Sequence, residues 1–398
     1  MASKPTPYRS SVWFVTVFSM FFTRGILNAS WTSRGPEVRA TLGVSIADMG
    51  IIATVFAAGA IIGVLASGQI VDRFGSRALA LGSYILMPTA IASAIIGLNA
   101  HSMPLVIVSL FAFGLPFGAG DFVSNIEAAE LDRASAKSRI PMLHGGYSIG
   151  VLVGALLTSL LILANVPIEA QLIAVAVIIG GWTLYRVSGI PADHGKHPDH
   201  ATGVERVRVV QTPAGRRRTH LISAIAFIFV FAEGCAAIFI PLALSEAGRS
   251  PAEAAFAYTL YSLGMAFSRV VGGRIVDRIG RRAVVLYSSI ICAVGVGIFS
   301  FAPFAPVEYV GGILWGVGGS LTIAMTVSAV SDNKATLTRS QSTLWTWVYF
   351  ANLAVGPLLG GIALVTGIFG AFAAPAVLLL GAASISSATK PDPEVATS

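Results

Sequence analysis

The sequence predicts an all-α polytopic membrane protein, with twelve transmembrane helices in two pseudo-symmetric six-helix bundles. Three observations carry that expectation. Apolar residues make up 55% of the 398-residue chain and charged residues only 11%. A soluble domain carries about 25% charged residues, so too few charges remain here to cover a soluble surface. Apolar stretches recur at a length of about 20 residues, enough to span the hydrocarbon layer. Finally, a charged turn occurs twice: Gly68–Ser83 and Gly273–Ser288 share 10 identities in 16 positions at an offset of 205 residues. A turn duplicated at half-chain spacing inside apolar sequence marks two related membrane halves.

The spans fall near residues 11–32, 48–71, 77–98, 103–126, 141–164 and 168–187 in the first half. Those of the second half lie near 220–244, 253–275, 282–302, 307–330, 341–366 and 369–388. The expected domains are therefore a bundle over 1–190, a polar linker over 191–219 and a bundle with a short tail over 220–398. The linker carries His194, Lys196, His197, Arg206, Arg208 and Arg216–Arg218 and no long apolar run. The ends, Met1–Tyr8 and Lys390–Ser398, read as polar tails. Ser11–Trp31 is followed by many further spans and reads as a retained first helix, with no cleavable signal peptide evident.

The net charge of +7 would suggest nucleic acid as a partner in a soluble protein. Here the placement of the charges gives another answer. With both termini in the cytoplasm, 21 of the 26 Lys and Arg residues, Lys4, Lys137 and Lys334 among them, lie on the cytoplasmic side. Arg34, Arg39 and Arg249 lie outside, and Arg24 and Arg269 fall within spans. That bias orients a membrane protein, so no nucleic-acid partner is expected. Cys235 and Cys292 both sit in apolar runs and are expected to be packed thiols, not a disulfide or a metal site. There is no Gly-x-x-x-x-Gly-Lys phosphate loop and no cluster of His or Cys. The protein is therefore not expected to be an enzyme or to use ATP, and no cofactor or metal is expected.

The repeated turn reads Gly68-x-x-x-Asp72-Arg73-x-Gly75-x-Arg77 and Gly273-x-x-x-Asp277-Arg278-x-Gly280-x-Arg282. Together with twelve spans and a central linker it resembles the signature of the major facilitator superfamily of secondary transporters. A narrower resemblance is to the bacterial branch related to fucose permeases and its uncharacterised inner-membrane relatives. It rests on Asp121-x-x-x-Asn125, Asp132-Arg133, and Pro141-x-x-His144-Gly145-x-x-Ser148-x-Gly150-x-x-x-Gly154. Trp31-x-x-Arg34-x-Pro36, Leu42-Gly43 and Glu233-Gly234 fit the same branch. The chain departs from it at Arg24, where a neutral residue is usual, and in lacking an Asp-Trp after Glu233-Gly234. The resemblance implies the major facilitator fold, a bacterial inner-membrane location, a monomer, and a central cavity lined by spans 1, 4, 7 and 10.

Several residues could carry the chemistry. Arg24 lies about 13 residues into span 1, roughly 20 Å from the cytoplasmic end. A central arginine costs about 2.5–3.5 kcal/mol on insertion scales. It is expected either to recognise an anion with its planar fork or to form a structural ion pair with another helix. Glu233 lies at matching depth in span 7, where it could pair with Arg24 or carry the coupling proton. Asp121 and Asn125 are four apart on one face of span 4, and Asp121 is the alternative proton site. Asn28, Asn125, Tyr147, Tyr261 and Asn352 are candidate substrate contacts beside Arg24 and Glu233. Asp72, Arg73, Arg77, Asp277, Arg278 and Arg282 would set topology. By the resemblance they would also form an ionic latch at a cytoplasmic gate.

The expected function is secondary active transport of a small polar or anionic solute by alternating access, as proton-coupled symport. The expected partners are that small-molecule substrate, protons and the lipid bilayer. Export of a metabolite or drug by proton antiport is the alternative. A membrane sensor that binds solute without moving it is a third reading, from a different class.

Overall fold

A computed structural model describes residues 7–135, 139–191, 194, 211–301, 304–333 and 336–391. Most of the linker and both extreme tails lie outside these residues, as do the orientation charges Lys4, Lys137, Lys196, Arg206, Arg208 and Lys334. The described chain is helical nearly throughout. The first half comprises α1 (Pro7–Thr32), α2 (Gly35–Leu42), α3 (Ile46–Phe74), α4 (Ser76–Asn99), α5 (Met103–Arg133), α6 (Ile140–Leu163) and α7 (Ile168–Arg186). The second comprises α8 (Pro213–Glu246), α9 (Pro251–Phe301), α10 (Ala305–Gly319), α11 (Thr322–Val330), α12 (Leu337–Ala371) and α13 (Ala373–Ser384).

Among the described residues, ten helical segments are long and apolar enough to cross a membrane. One of them, α9, is two spans joined at Gly280, and the shorter apolar α13 follows a break at Gly367, which brings the passages to twelve. Gly75 and its repeat counterpart Gly280 explain why the charged turn can be so tight. Their φ/ψ values are 87°/160° and 78°/162°, a region that is essentially open to glycine alone. The turn therefore reverses the chain with no intervening loop. The short α2 was not expected. Pro36 at its start, Glu37 in its first turn and Gly43 in the left-handed conformation at its end together define it.

The helices present apolar side chains outward, as lipid requires. Leu65, Val177, Val270 and Val365 are 69–87% exposed, which in water would be an aggregation hazard and in a bilayer is the contact surface. The chain divides into two compact units. One is Met1–Ser45, Ile51–Thr202 and Arg249–Phe256; the other is Ile46–Gly50, Gly203–Gly248 and Ala257–Ser398. In the first, α1 packs on α6 and α4 packs on α5 and α7. In the second, α8 packs on α12, α11 and α13.

Glycines along one face of α6 let α1 and α6 meet. A Cβ on Gly150 would strike the backbone of Phe22, and one on Gly154 would lie 2.9 Å from the Cα of Ile26. Backbone cannot rotate out of the way as a side chain can. Gly150→Val is expected to destabilise the protein by about 3 kcal/mol, read as a lower thermal midpoint in detergent, whereas a valine at Gly181, where a Cβ meets nothing within 4 Å, should change little. Both cysteines are fully buried and free.

Candidate functional site

α1 carries Arg24 into the first unit, where it is only 5% exposed. Its Nη1 lies 2.5 Å from Oδ1 of Asp121 on α5. The guanidinium carbon sits 5.1 Å from the Tyr147 ring centroid and 5.4 Å from those of Phe21 and Phe117. Three aromatic faces and one carboxylate thus surround the cation, which offsets its desolvation through charge and ring quadrupoles. The Asp121 contact lies off the hydrogen-bonding line, and neither Nε nor Nη1 of Arg24 donates a hydrogen bond to any described residue. A buried donor left in that state is uncommon and costly.

The surrounding polar groups were predicted from the sequence, and the structure brings them together. Asn125 donates to Oδ1 of Asp121 at 3.2 Å and to its backbone carbonyl at 2.9 Å. Asn28 donates to the Tyr147 hydroxyl at 3.2 Å. Arg24, Asn28, Asp121, Asn125 and Tyr147 therefore form one constellation on α1, α5 and α6. Asp121 is its most accessible ion partner, with 41% of its side chain exposed. The site is a buried cation with spare donors, and its one carboxylate can be reached by solvent.

The second unit is arranged differently. Glu233 on α8 approaches Arg269 on α9 at 3.8 Å, and both side chains are about a quarter exposed, 29% and 25%. Arg24 and Glu233 thus each have an oppositely charged partner on a neighbouring helix of their own unit. Tyr261 is packed among aromatic rings. It is 1% exposed and stacks on Tyr258 at 5.9 Å with its edge toward Trp315. Asn352 donates one turn back to the Val348 carbonyl.

The expected latch residues are placed at the surface. Asp72 and Arg77 are half-buried, and Arg73, Asp277, Arg278 and Arg282 are exposed. Arg73 lies over the Phe74 ring at 5.2 Å. The buried polar contacts near these turns belong to other residues, which sequence reasoning did not single out. Glu127 on α5 is fully buried and accepts from Trp13 Nε1 at 2.7 Å and from the Ser76 hydroxyl. Asp332, past the end of α11, accepts from both ends of the Arg281 fork at 2.8 Å and from Arg218 at 3.0 Å. Burial alone would raise the Asp332 carboxyl, but Arg281 and Arg218 outweigh it and hold it below the usual range. That cluster therefore holds above the ordinary carboxylate range and is lost only as pH falls through the lowered pKa. The signal that could have found these residues is the 205-residue offset, which relates Glu127 to Asp332 as it relates Gly75 to Gly280.

Arg34, in the loop before α2, is structural. It is 2% exposed. It pairs with Glu37 at 2.5 Å and donates to Gln171 at 2.9 Å and to the Val166 carbonyl at 2.7 Å. Arg34→Ala strands the buried Gln171 and the half-buried Val166 carbonyl and is expected to cost about 3 kcal/mol, read as a lower midpoint of thermal unfolding at unchanged solute specificity.

Comparison with known proteins agrees with this architecture. A family model described as the Major Facilitator Superfamily matches residues 13–219 and 222–398. An uncharacterised MFS-type transporter of Yersinia pestis is 26% identical over 384 residues, covering 92% of both chains. A Rhizobium meliloti membrane protein, MosC, is 23% identical over 351 residues, covering 87% of this chain and 83% of that one. Among solved structures, the nucleoside transporter NupG superposes with a TM-score of 0.77 at 12% identity, covering 95% of this chain and 99% of that one. The fucose transporter FucP in its outward conformation superposes with a TM-score of 0.65 at 15% identity, covering 96% and 100%. At these identities the structures establish the fold, while the family model spans nearly the whole chain. The chain belongs to the major facilitator superfamily and is a multi-pass membrane transporter, not an enzyme.

Proposed function

We propose that the protein is a proton-coupled symporter of a small anionic solute, with Arg24 as the anion acceptor and Asp121 as the proton carrier. The observation that carries this reading is the buried Arg24 guanidinium, two of whose nitrogens donate no hydrogen bond among the described residues while its counter-ion is 41% exposed. An anionic group entering from the Asp121 side finds donors already desolvated and already in place.

Charge accounting explains the coupling. Without solute, Arg24 and Asp121 sum to zero. A proton on a carboxylate oxygen of Asp121 leaves Arg24 without its counter-ion, which a monoanionic solute then supplies. The loaded site again sums to zero. A net charge carried through a low-dielectric region is costly, so a neutral loaded state and a neutral empty state are the two forms suited to crossing. Asn125 keeps Asp121 oriented through its hydrogen bond. Asn28 and Tyr147 offer further polar contacts to the solute. Phe21 and Phe117 suit an apolar portion next to the anionic group. A cationic solute is disfavoured beside Arg24, which argues against drug antiport at this site.

We infer on the same reading a monomer in a bacterial inner membrane, and the Lys and Arg distribution supports cytoplasmic placement of both termini. The test is proton movement in liposomes containing the purified protein. Small monocarboxylates should drive proton influx that a membrane potential of either sign leaves unchanged. Proton movement driven only by cationic amphiphiles, in the opposite direction to the amphiphile, would instead establish antiport.

A further inference from the structure

The repeat offset relates three residues of the first unit to three of the second. Trp13, Ser76 and Glu127 correspond to Arg218, Arg281 and Asp332. In both units the first two positions converge on the third, a carboxylate beside the charged turn. The chemistry differs between them. Asp332 faces two permanent cations. Glu127, fully buried, receives only neutral donors from Trp13 and Ser76. An unneutralised buried carboxylate is strongly unfavourable. Among the described residues, the one cation within ion-pair distance comes from the segment after α7. His194 Nδ1 lies 3.3 Å from both Glu127 oxygens.

His194 makes two further contacts at the same place. Its backbone carbonyl accepts from the Ser76 N–H at 2.8 Å. Its ring meets Trp13 edge-on at 5.0 Å. Ser76 is the first residue of α4, so its N–H has no acceptor within the helix, and His194 supplies one. His194 is thus fastened to the helix that follows the Gly75 turn. In the second unit, Arg218 similarly reaches the Lys390 carbonyl after the last helix, at 2.7 Å.

We propose that His194 is a titratable replacement for the arginines of the second unit, so that its protonated ring locks this residue onto Glu127 and the start of α4, and deprotonation releases it. The hydrogen bond to Glu127 raises the His194 pKa, partial burial opposes this, and the charges of Glu127 and Glu130 raise it further. The surrounding elements contribute few other charges. Trp13 on α1 and Ser76 on α4 are neutral. Asp72 and Arg77 flank the Gly75 turn, Asp132 on α5 accepts from the Arg139 backbone, and His144 on α6 lies against Phe21. A pKa raised in the docked state means the lock is complete below the free histidine value of about 6.5 and is lost as pH rises through the raised value. The working window therefore lies above about 6.5, on the side we place in the cytoplasm.

The test is hydrogen–deuterium exchange at the Ser76 amide in the full-length protein, corrected for the intrinsic pH dependence of exchange. Between pH 6 and pH 8.5 the corrected rate should rise at least about threefold in the wild type. In H194R it should stay slow at both pH values, because the cation is permanent. In H194Q it should be fast at both. A wild-type rate that does not change with pH overturns the proposal, and so does a pH-dependent rise in H194R equal to that of the wild type. The wild-type measurement decides even if a variant fails to fold. None of these readouts involves solute transport, so they stand apart from the symport reading.

Discussion

Asp121→Asn is expected to abolish proton-driven solute accumulation while leaving solute exchange across the membrane intact. Asparagine keeps the size and the contact with Asn125 but cannot take up or release a proton. Arg24 then loses its counter-ion permanently. Removing one partner from a buried pair costs about 3–5 kcal/mol, and the anionic solute can recover part of that. Two measurements follow. Counterflow of labelled solute should persist at a rate near that of the wild type, and net uptake against a gradient should fall by roughly two orders of magnitude, a loss of about 2.7 kcal/mol in driving force. In addition, the solute should raise the thermal midpoint of Asp121→Asn more than that of the wild type. Loss of counterflow together with uptake would make Asp121 a solute contact and would move the proton elsewhere, with the Glu233–Arg269 pair the next site to test.

Arg24→Ala is expected to remove solute binding itself. Each charge-assisted hydrogen bond to a buried anion is worth about 1.5–3 kcal/mol, so losing the fork should weaken binding by about a hundredfold or more. The protein should still fold, because the carboxylate left behind is 41% exposed and can be hydrated. Arg24→Lys should recover only part of the affinity, since an ammonium lacks the two-pronged donor geometry. Isothermal titration with the anion that drives proton influx in liposomes separates these outcomes. Unchanged affinity in Arg24→Ala would reduce Arg24 to a structural ion-pair partner.

Much of this molecule could be read from its residues. Span positions were legible because lipid demands uninterrupted apolar runs, and the Gly75 and Gly280 turns because their backbone angles exclude other residues. Counting along a helix at a fixed rise set Arg24 deep in its span, but its partner was not legible. Matching depth pointed to Glu233 and left Asp121 as an alternative proton site only, because counting residues along an apolar helix fixes height but not which neighbour each side faces. The same ambiguity holds for Tyr261, whose ring suits a cavity wall and a packed aromatic stack equally well. Glu127 and Asp332 were legible in principle through the repeat. Their roles depend on residues 51 and 114 positions away in sequence, which no local pattern joins.

The burial of Cys235 and Cys292 has a practical consequence. These are the only cysteines in the chain, and both are 0% exposed. The wild-type protein should therefore behave as its own thiol-free background toward water-borne maleimides. Single reporter cysteines can then be introduced at exposed helix ends for distance measurements by spin labels or fluorophores. The native pair need not be removed, and the packing around each sulfur stays undisturbed.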